Sequence, residues 1–359
     1  MCDLDKLRDK IDQIDQQLVK LLNERAQVVI EVGKVKRQSK SAPPVYAPDR
    51  ERIVLDKIKS HNKGPLPDKT LIAIYRELMS GSFFLERPLR VAYLGPNGSF
   101  SHTAAILKFG QSVEYEPQPD IRGVFEEIAR EHCDLGVVPV ENTIAGGIIE
   151  TLDSLIETSV SICSEVLLAI HHNLLAKCKL EEVKKVYSKP EVFSQCRNWL
   201  ASTLPGADII QSASTAVAAQ RVTEEPYAAA IGSRLAAELY DLKLVCENIE
   251  DCTNNVTRFF VIGRESARRT GDDKTAMVFS TADKAGALVD VLQAFRQYQV
   301  NLTNIESRPS RKRQKEYYFF ADGQGHQNDE NVVKAVQAAR KHCLQLTILG
   351  SFPRAAEVL

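Results

Sequence analysis

The sequence predicts a multidomain protein in which an all-α segment, an α/β domain and an α+β ferredoxin-like module follow one another. Three periodicities carry that prediction. Apolar residues recur every three or four positions from Leu4 to Val35. Short strand-like runs then alternate with helical ones from about Pro88 to Gly263. Beyond a polar linker the order becomes strand, helix, strand, strand, helix, strand, the βαββαβ arrangement. The expected domains span 1–88, 89–264 and 273–359, in keeping with two or three domains for a chain of 359 residues.

Charge and composition exclude several roles. Lys and Arg number 46 against 47 Asp and Glu, a net charge of −1, so the basic footprint of a nucleic-acid binder is missing. No apolar run is long enough to span a bilayer. The start, Met1-Cys2-Asp3-Leu4-Asp5-Lys6, lacks the basic and apolar regions of a signal peptide, so a cytoplasmic protein is expected. The eight cysteines contain no Cys-x-x-Cys pair and are expected to be reduced, mostly buried thiols. His171-His172 points to opposite faces if extended. No metal or other cofactor is expected.

In the first segment, Leu4, Leu7, Ile11, Ile14, Leu18, Leu21, Val28, Val32 and Val35 form an apolar seam broken once, by Arg25. The helix should fade near Arg37, giving a rod of ~50 Å. Two further helices are expected, one opening at Pro48 and one over about 68–85. So small a segment cannot bury so long a rod, which predicts an intertwined dimer. Arg25 in the seam is costly unless paired with an anion. Lys36, eleven residues on, projects from nearly the same face ~16 Å away. Together they suit a small dicarboxylate. Arg8 lies ~25 Å back along the helix and about 100° round it, so it serves such a ligand only in a partner's site. A coiled-coil dimer whose seam arginine sets register is the alternative.

Residues 4–87 resemble the all-helical chorismate mutases at Arg8, Arg25, Lys36, the Arg50-Glu51 pair, and Ser82 with Glu86. The resemblance implies that chorismate rearranges to prephenate, a pericyclic shift without a nucleophile. It implies Lys36 and Glu86 as catalytic residues, and Arg8, Arg25, Arg50, Glu51 and Ser82 as substrate-binding ones. Ala47 stands where many members are acidic, and Glu86 where others have glutamine. A carboxylate cannot donate a hydrogen bond, so Glu86 would have to be protonated to assist. That predicts mutase activity falling as pH rises through neutrality.

In the middle domain a strand over 90–94 runs into Gly95-Pro96-Asn97-Gly98, followed by a helix with Ser101 as a plausible cap. Further strands are expected at 135–140, 166–170, 183–187, 228–231 and 257–262. Gly95 to Ala105, Pro139-Val140-Glu141-Asn142-Thr143 with Gly146-Gly147, Ser214-Thr215-Ala216, Ala230-Ile231-Gly232-Ser233 and Asn255-Val256-Thr257-Arg258-Phe259 resemble, in order, five motifs of the prephenate dehydratases. The resemblance implies a two-lobed, periplasmic-binding-protein-like fold with the site in its cleft. It implies Thr257 and Arg258 as catalytic residues, with Asn142, Ser188, Gln195 and Phe259 around the substrate. Expulsion of a hydroxyl as CO2 departs calls for a proton donor, which Thr257 would supply. Arg258 would grip the surviving carboxylate. A binding cleft without turnover is the rival reading.

In the last segment the expected order is strand 275–280, helix 286–298, strands 302–308 and 316–321, helix 328–342 and strand 345–352. The basic run Arg311-Lys312-Arg313 would sit on the hairpin between the middle strands. Gly286-Ala287-Leu288 and Glu306-Ser307-Arg308-Pro309 resemble the phenylalanine-responsive ACT domains. That implies L-phenylalanine as effector, held by Gly286, Ala287, Leu288, Glu306, Ser307 and Arg308 between paired domains. A purely dimerising role stays open. The three resemblances together imply a bifunctional chorismate mutase–prephenate dehydratase fed back by phenylalanine. Chorismate and prephenate would be substrates, in a homodimer or homotetramer without nucleic-acid or membrane partners. A dehydratase whose mutase segment only dimerises, and a non-catalytic amino-acid-responsive binding protein, are the alternatives.

Overall fold

A computed structural model describes residues 3–38, 44–309 and 317–359; the Arg311-Lys312-Arg313 run lies outside them. The first segment is three helices, α1 (Asp3–Gln38), α2 (Pro48–His61) and α3 (Asp68–Glu86). Pro48 opens α2 at a position where its missing N–H costs nothing. Only the C-terminal third of α1 is covered, by α3. There a Cβ on Gly33 would lie 3.1 Å from Glu86 Cγ, so the absent side chain lets the helices close. Every residue from Lys6 to Glu24 is exposed, the apolar seam included.

The middle domain has two lobes. The first comprises β1 (Arg90–Leu94), α4 (Phe100–Phe109), β2 (Glu114–Gln118), α5 (Ile121–Ala129), β3 (Leu135–Asn142), β4 (Gly146–Gly147), α6 (Ile149–Glu157) and β5 (Ser161–Ala169). The second comprises β6 (Asn173–Ala176), β7 (Lys185–Ser188), α7 (Pro190–Gln195), α8 (Arg197–Thr203), β8 (Asp208–Gln211), α9 (Thr215–Val222), β9 (Ala228–Gly232), α10 (Arg234–Leu239) and β10 (Lys243–Cys246). The chain then returns to the first lobe as β11 (Val256–Gly263). The sheet orders are β2-β1-β3-β11-β5, with β4 on β3, and β10-β6-β9-β7-β8. Ser99, not Ser101, caps α4, accepting from the His102 N–H.

The last module is β12 (Asp273–Ser280), α11 (Ala287–Gln297), β13 (Leu302–Pro309), β14 (Tyr317–Gln324), α12 (Glu330–Arg340) and β15 (Gln345–Pro353), with sheet order β13-β14-β12-β15. Met277, Phe279, Val291, Phe295 and Val336 form its helix-side core. The other face of its sheet is not free. Ala276, Val278, Phe320, Leu349 and Phe352 share one buried cluster with Val138, Val140, Leu152 and Phe260 of the middle domain. A common apolar core therefore fixes the third module against the back of the first lobe.

The helical segment is also tied in. Tyr46 packs with Phe109 and Val91, and Lys108 of α4 pairs with Glu51 of α2 at 2.8 Å. Leu359 adds two backbone hydrogen bonds to β5, at Leu167 and Ala169.

Candidate active site

Four of the residues expected in the helical site come together between α1 and α3. Arg25 Nη1 donates to Ser82 Oγ at 2.7 Å. Lys36 Nζ lies 2.8 Å and 3.1 Å from the two oxygens of Glu86, and Arg37 donates to the Glu86 carbonyl. Both Glu86 oxygens face Lys36 as acceptors, so the donor role expected of this carboxyl is not presented in this arrangement. Arg50 is exposed and, with Lys36, lines an open cavity of about 760 Å³.

One expectation for this site needs correction, and another holds. Glu51 follows Arg50 by about 100° round α2 and turns to the middle domain, accepting from Tyr46 Oη at 2.9 Å and Lys108 Nζ at 2.8 Å. It is a domain contact here, not a substrate ligand. Arg8 is exposed on the uncovered part of α1, remote from Arg25, as the helical rise requires.

The cleft between the lobes gathers a second constellation. β11 runs antiparallel to β3 with Thr257 opposite Asn142. Asn142 Nδ2 donates to Thr257 Oγ1 at 2.9 Å and to Asn255 Oδ1 at 2.7 Å. Asn142 Oδ1 accepts from the N–H groups of Ile144 and Ala145, so the turn after β3 fixes which way this amide faces. Thr257 Oγ1 is thus an acceptor from Asn142, and its own proton has no acceptor among the described residues. Asn255 Nδ2 donates onward to Gln195 Oε1 at 3.3 Å, which also lies 2.7 Å from His172 Nε2. Because Gln195 Oε1 can only accept, His172 carries its proton on Nε2. Burial holds His172 below the ordinary imidazole range, outweighing Gln195 and Glu250, so the ring is neutral.

The two lobes also touch directly. Ser233 Oγ and Tyr240 Oη of the second lobe donate to the Gly98 and Asn97 carbonyls, at 2.7 Å and 2.9 Å. Ser233 and Ser214 also cap α10 and α9.

Three expected cleft residues lie elsewhere. Ser188 is fully buried, its hydroxyl on the Ile231 carbonyl at 2.9 Å. Phe259 sits in the first lobe's core with Val91, Tyr93 and Val137. Arg258 points to the opposite face of β11 from Thr257, as strand alternation demands. There it pairs with Glu165 of β5 and Asp322 of β14 and stacks over the Phe260 ring at 4.6 Å. Burial pushes Glu165 up, but Arg258, Lys274 and the Ala355 N–H hold its carboxyl below the usual range. A guanidinium so committed cannot grip a substrate carboxylate in the cleft. Asn255 and His172 are additions to the expected set. Asn255 shares Thr257's face by two-residue spacing, a signal available in the sequence; His172 reaches the group only through the fold, by its contact with Gln195.

In the third module Gly286 adopts φ 84° at the exposed N-terminus of α11, a left-handed conformation that suits glycine. Ser307 lies on the helix side of β13, its rung partner being Phe319. Glu306 and Arg308 lie on the other side, so the two effector motifs do not converge within one chain. Arg308 binds the Ile149 carbonyl and Asp153, and the Glu306 carboxylate fills the space over Gly147.

Among the described residues no helix is long and apolar enough to cross a membrane, and no cluster of His, Cys, Asp and Glu has the makings of a metal site.

Three family models match the chain in succession. Residues 7–87 match the chorismate mutase type II family, 91–267 the prephenate dehydratase family and 275–341 the ACT domain. A bifunctional chorismate mutase/prephenate dehydratase of Aquifex aeolicus is 42% identical over 99% of both chains. The solved prephenate dehydratase of Arthrobacter aurescens, in complex with L-Phe, is 32% identical. It covers 74% of this chain and 90% of its own, with a TM-score of 0.69. A solved quorum quenching acylase also reaches a TM-score of 0.69, at 25% identity, over 74% of this chain and 98% of its own. Fold alone therefore does not choose the chemistry, whereas similarity along the whole chain, with mutase, dehydratase and ACT regions in that order, does. The chain belongs to the bifunctional chorismate mutase/prephenate dehydratase family.

Proposed function

We propose that Thr257 delivers the proton that makes dehydration of prephenate possible. Loss of the ring carboxylate as CO2 supplies the electron pair that expels the hydroxyl. Hydroxide is a poor leaving group, and a proton from Thr257 Oγ1 lets it depart as water. The carrying observation is the pairing with Asn142, whose amide donates to Oγ1 and leaves the Thr257 proton directed to the substrate. Asn255 takes the second Asn142 proton and Gln195 supports Asn255 from behind. Solvent restores the threonine proton after release. Supplied with prephenate, Thr257→Val should form phenylpyruvate about 10²- to 10⁴-fold more slowly; supplied with chorismate, it should accumulate prephenate. Phenylpyruvate formation at the parent rate would refute the assignment.

In the helical segment, Arg25 and Lys36 bind the two carboxylates and the ether oxygen of chorismate in its folded conformer, with Ser82 orienting Arg25. Substrate has to share Lys36 with Glu86. The exposed seam from Lys6 to Glu24 is covered by a second copy of this chain, and the partner brings Arg8 to the site. L-phenylalanine binds at the α11 N-terminus, whose free N–H groups suit a carboxylate, with Ser307 on the same side of the sheet. The L-Phe complex of the Arthrobacter relative supports L-phenylalanine as the effector. Feedback then requires phenylalanine to bind the inhibited state more tightly than the active one.

A further inference from the structure

The back of the strand pair that carries Thr257 and Asn142 is held by the ACT sheet. Thr257 and Asn142 form one rung of β11 and β3, and Arg258 and Glu141 form the next. Strand alternation turns that second rung away from the cleft. Both of its members meet the regulatory module. Arg258, whose side chain is 9% exposed, pairs with Asp322 of β14 and donates from Nε to Glu165 at 2.8 Å. Lys274 of β12 pairs with the same Glu165 at 2.9 Å. Glu141 accepts from Asn304 Nδ2 of β13 at 3.5 Å. Glu306 fills the space above Gly147, the residue that pairs with Glu141 across β3 and β4.

We propose that Asp322 and Glu306 of the ACT sheet are positioning residues for prephenate dehydration. Through Arg258 and through the Glu141–Gly147 rung they set how Thr257 faces Asn142. No covalent step is involved. The lever is short, because each gripped residue is the chain neighbour of one that works in the cleft. Anything that shifts β13 and β14 as a unit moves both rungs at once, which gives an effector bound on the ACT module a direct route to the Thr257 proton. The proposal rests on Thr257 being the donor.

The test uses full-length protein with Asp322→Asn, Asp322→Glu and Gly147→Ala, alongside Thr257→Val. Asp322→Asn keeps shape and drops the charge that holds Arg258. Gly147→Ala places a methyl where the Glu306 carboxylate sits, displacing only the end of a flexible side chain. Dehydratase kcat should fall about ten-fold in Asp322→Asn and about three-fold in Gly147→Ala, with KM for prephenate within about two-fold, as for a sub-ångström displacement at a reacting centre. Asp322→Glu should recover most of the loss, and inhibition by added L-phenylalanine should weaken in both damaged variants. Mutase turnover of chorismate should stay at the parent level, reporting the fraction folded. Should Asp322→Asn fail to fold, Gly147→Ala decides alone. Dehydratase kcat and phenylalanine response both within about two-fold of the parent would overturn the proposal, as would a rise in KM without a fall in kcat. Parent-level dehydratase activity in Thr257→Val would instead overturn the donor assignment.

Discussion

Asn142→Asp is the sharpest test of how Thr257 is made a proton donor. The substitution is isosteric and keeps the oxygen that accepts from the Ile144 and Ala145 N–H groups, so the turn after β3 should survive. What changes is the other end of the side chain. A carboxylate oxygen replaces the amide that now donates to Thr257 Oγ1 at 2.9 Å and to Asn255 Oδ1 at 2.7 Å. Thr257 must then donate its proton to the carboxylate, and that bond has to break before the substrate can receive it. Hydrogen bonds to charged groups are worth about 1.5–3 kcal/mol, and about 1.4 kcal/mol is a factor of ten in rate. Dehydratase kcat should therefore fall roughly ten- to a hundred-fold. Thr257→Val, which removes the donor outright, should lose about 10²- to 10⁴-fold. The double variant should be no worse than Thr257→Val, since both act on one proton. Phenylpyruvate formation from saturating prephenate reads all three, with mutase turnover as the measure of intact protein. Asn142→Asp within about two-fold of the parent, or additive with Thr257→Val, would refute the reasoning.

Arg25→Ala should abolish chorismate turnover while leaving dehydration of supplied prephenate within about two-fold, because Arg25 reaches only Ser82 of the helical site; equal loss of both activities would count against separate sites. Leu18→Glu, on the exposed seam at 50% exposure, should dissociate the assembly in sedimentation velocity and lower mutase but not dehydratase activity; an unchanged sedimentation coefficient would refute a seam-mediated dimer. Burial holds both His102 and His172 below the ordinary imidazole range, so near pH 6 the unfolded chain binds more protons than the folded one. Their contribution is then complete above about pH 6.5 and lost as pH falls through the folded-state values. The urea midpoint should drop between neutrality and about pH 5, and a flat midpoint would contradict the burial of two neutral rings.

How far the sequence could be read depended on which geometry each residue obeyed. Helical spacing put Arg25 and Lys36 on one face and Arg8 out of reach, and the structure holds all three as spacing requires. It also exposes the seam from Lys6 to Glu24 that the excess length of α1 implied. Most of the readings that failed share one cause, a motif treated as a unit in space because it is a unit along the chain. Arg50 and Glu51 are adjacent in sequence yet a quarter-turn apart on α2, so one lines the open cavity while the other binds Lys108. Thr257-Arg258-Phe259 divides further. Thr257 faces the cleft, Arg258 faces the ACT sheet behind it, and Phe259, beyond a register shift in the β11–β3 ladder, enters the first lobe's core. Glu306, Ser307 and Arg308 alternate in the same way, one towards the helices and two towards the dehydratase domain. Periodicity alone could have separated Arg50 from Glu51, Arg258 from Thr257 and Ser307 from its two neighbours; only the packing of one sheet on another could say what waits on the second face. That packing is what the short strings carry. Three consecutive side chains supply the proposed proton donor, a tether to the ACT module and a core anchor, so a displacement of the ACT sheet need travel only one peptide unit to reach Thr257.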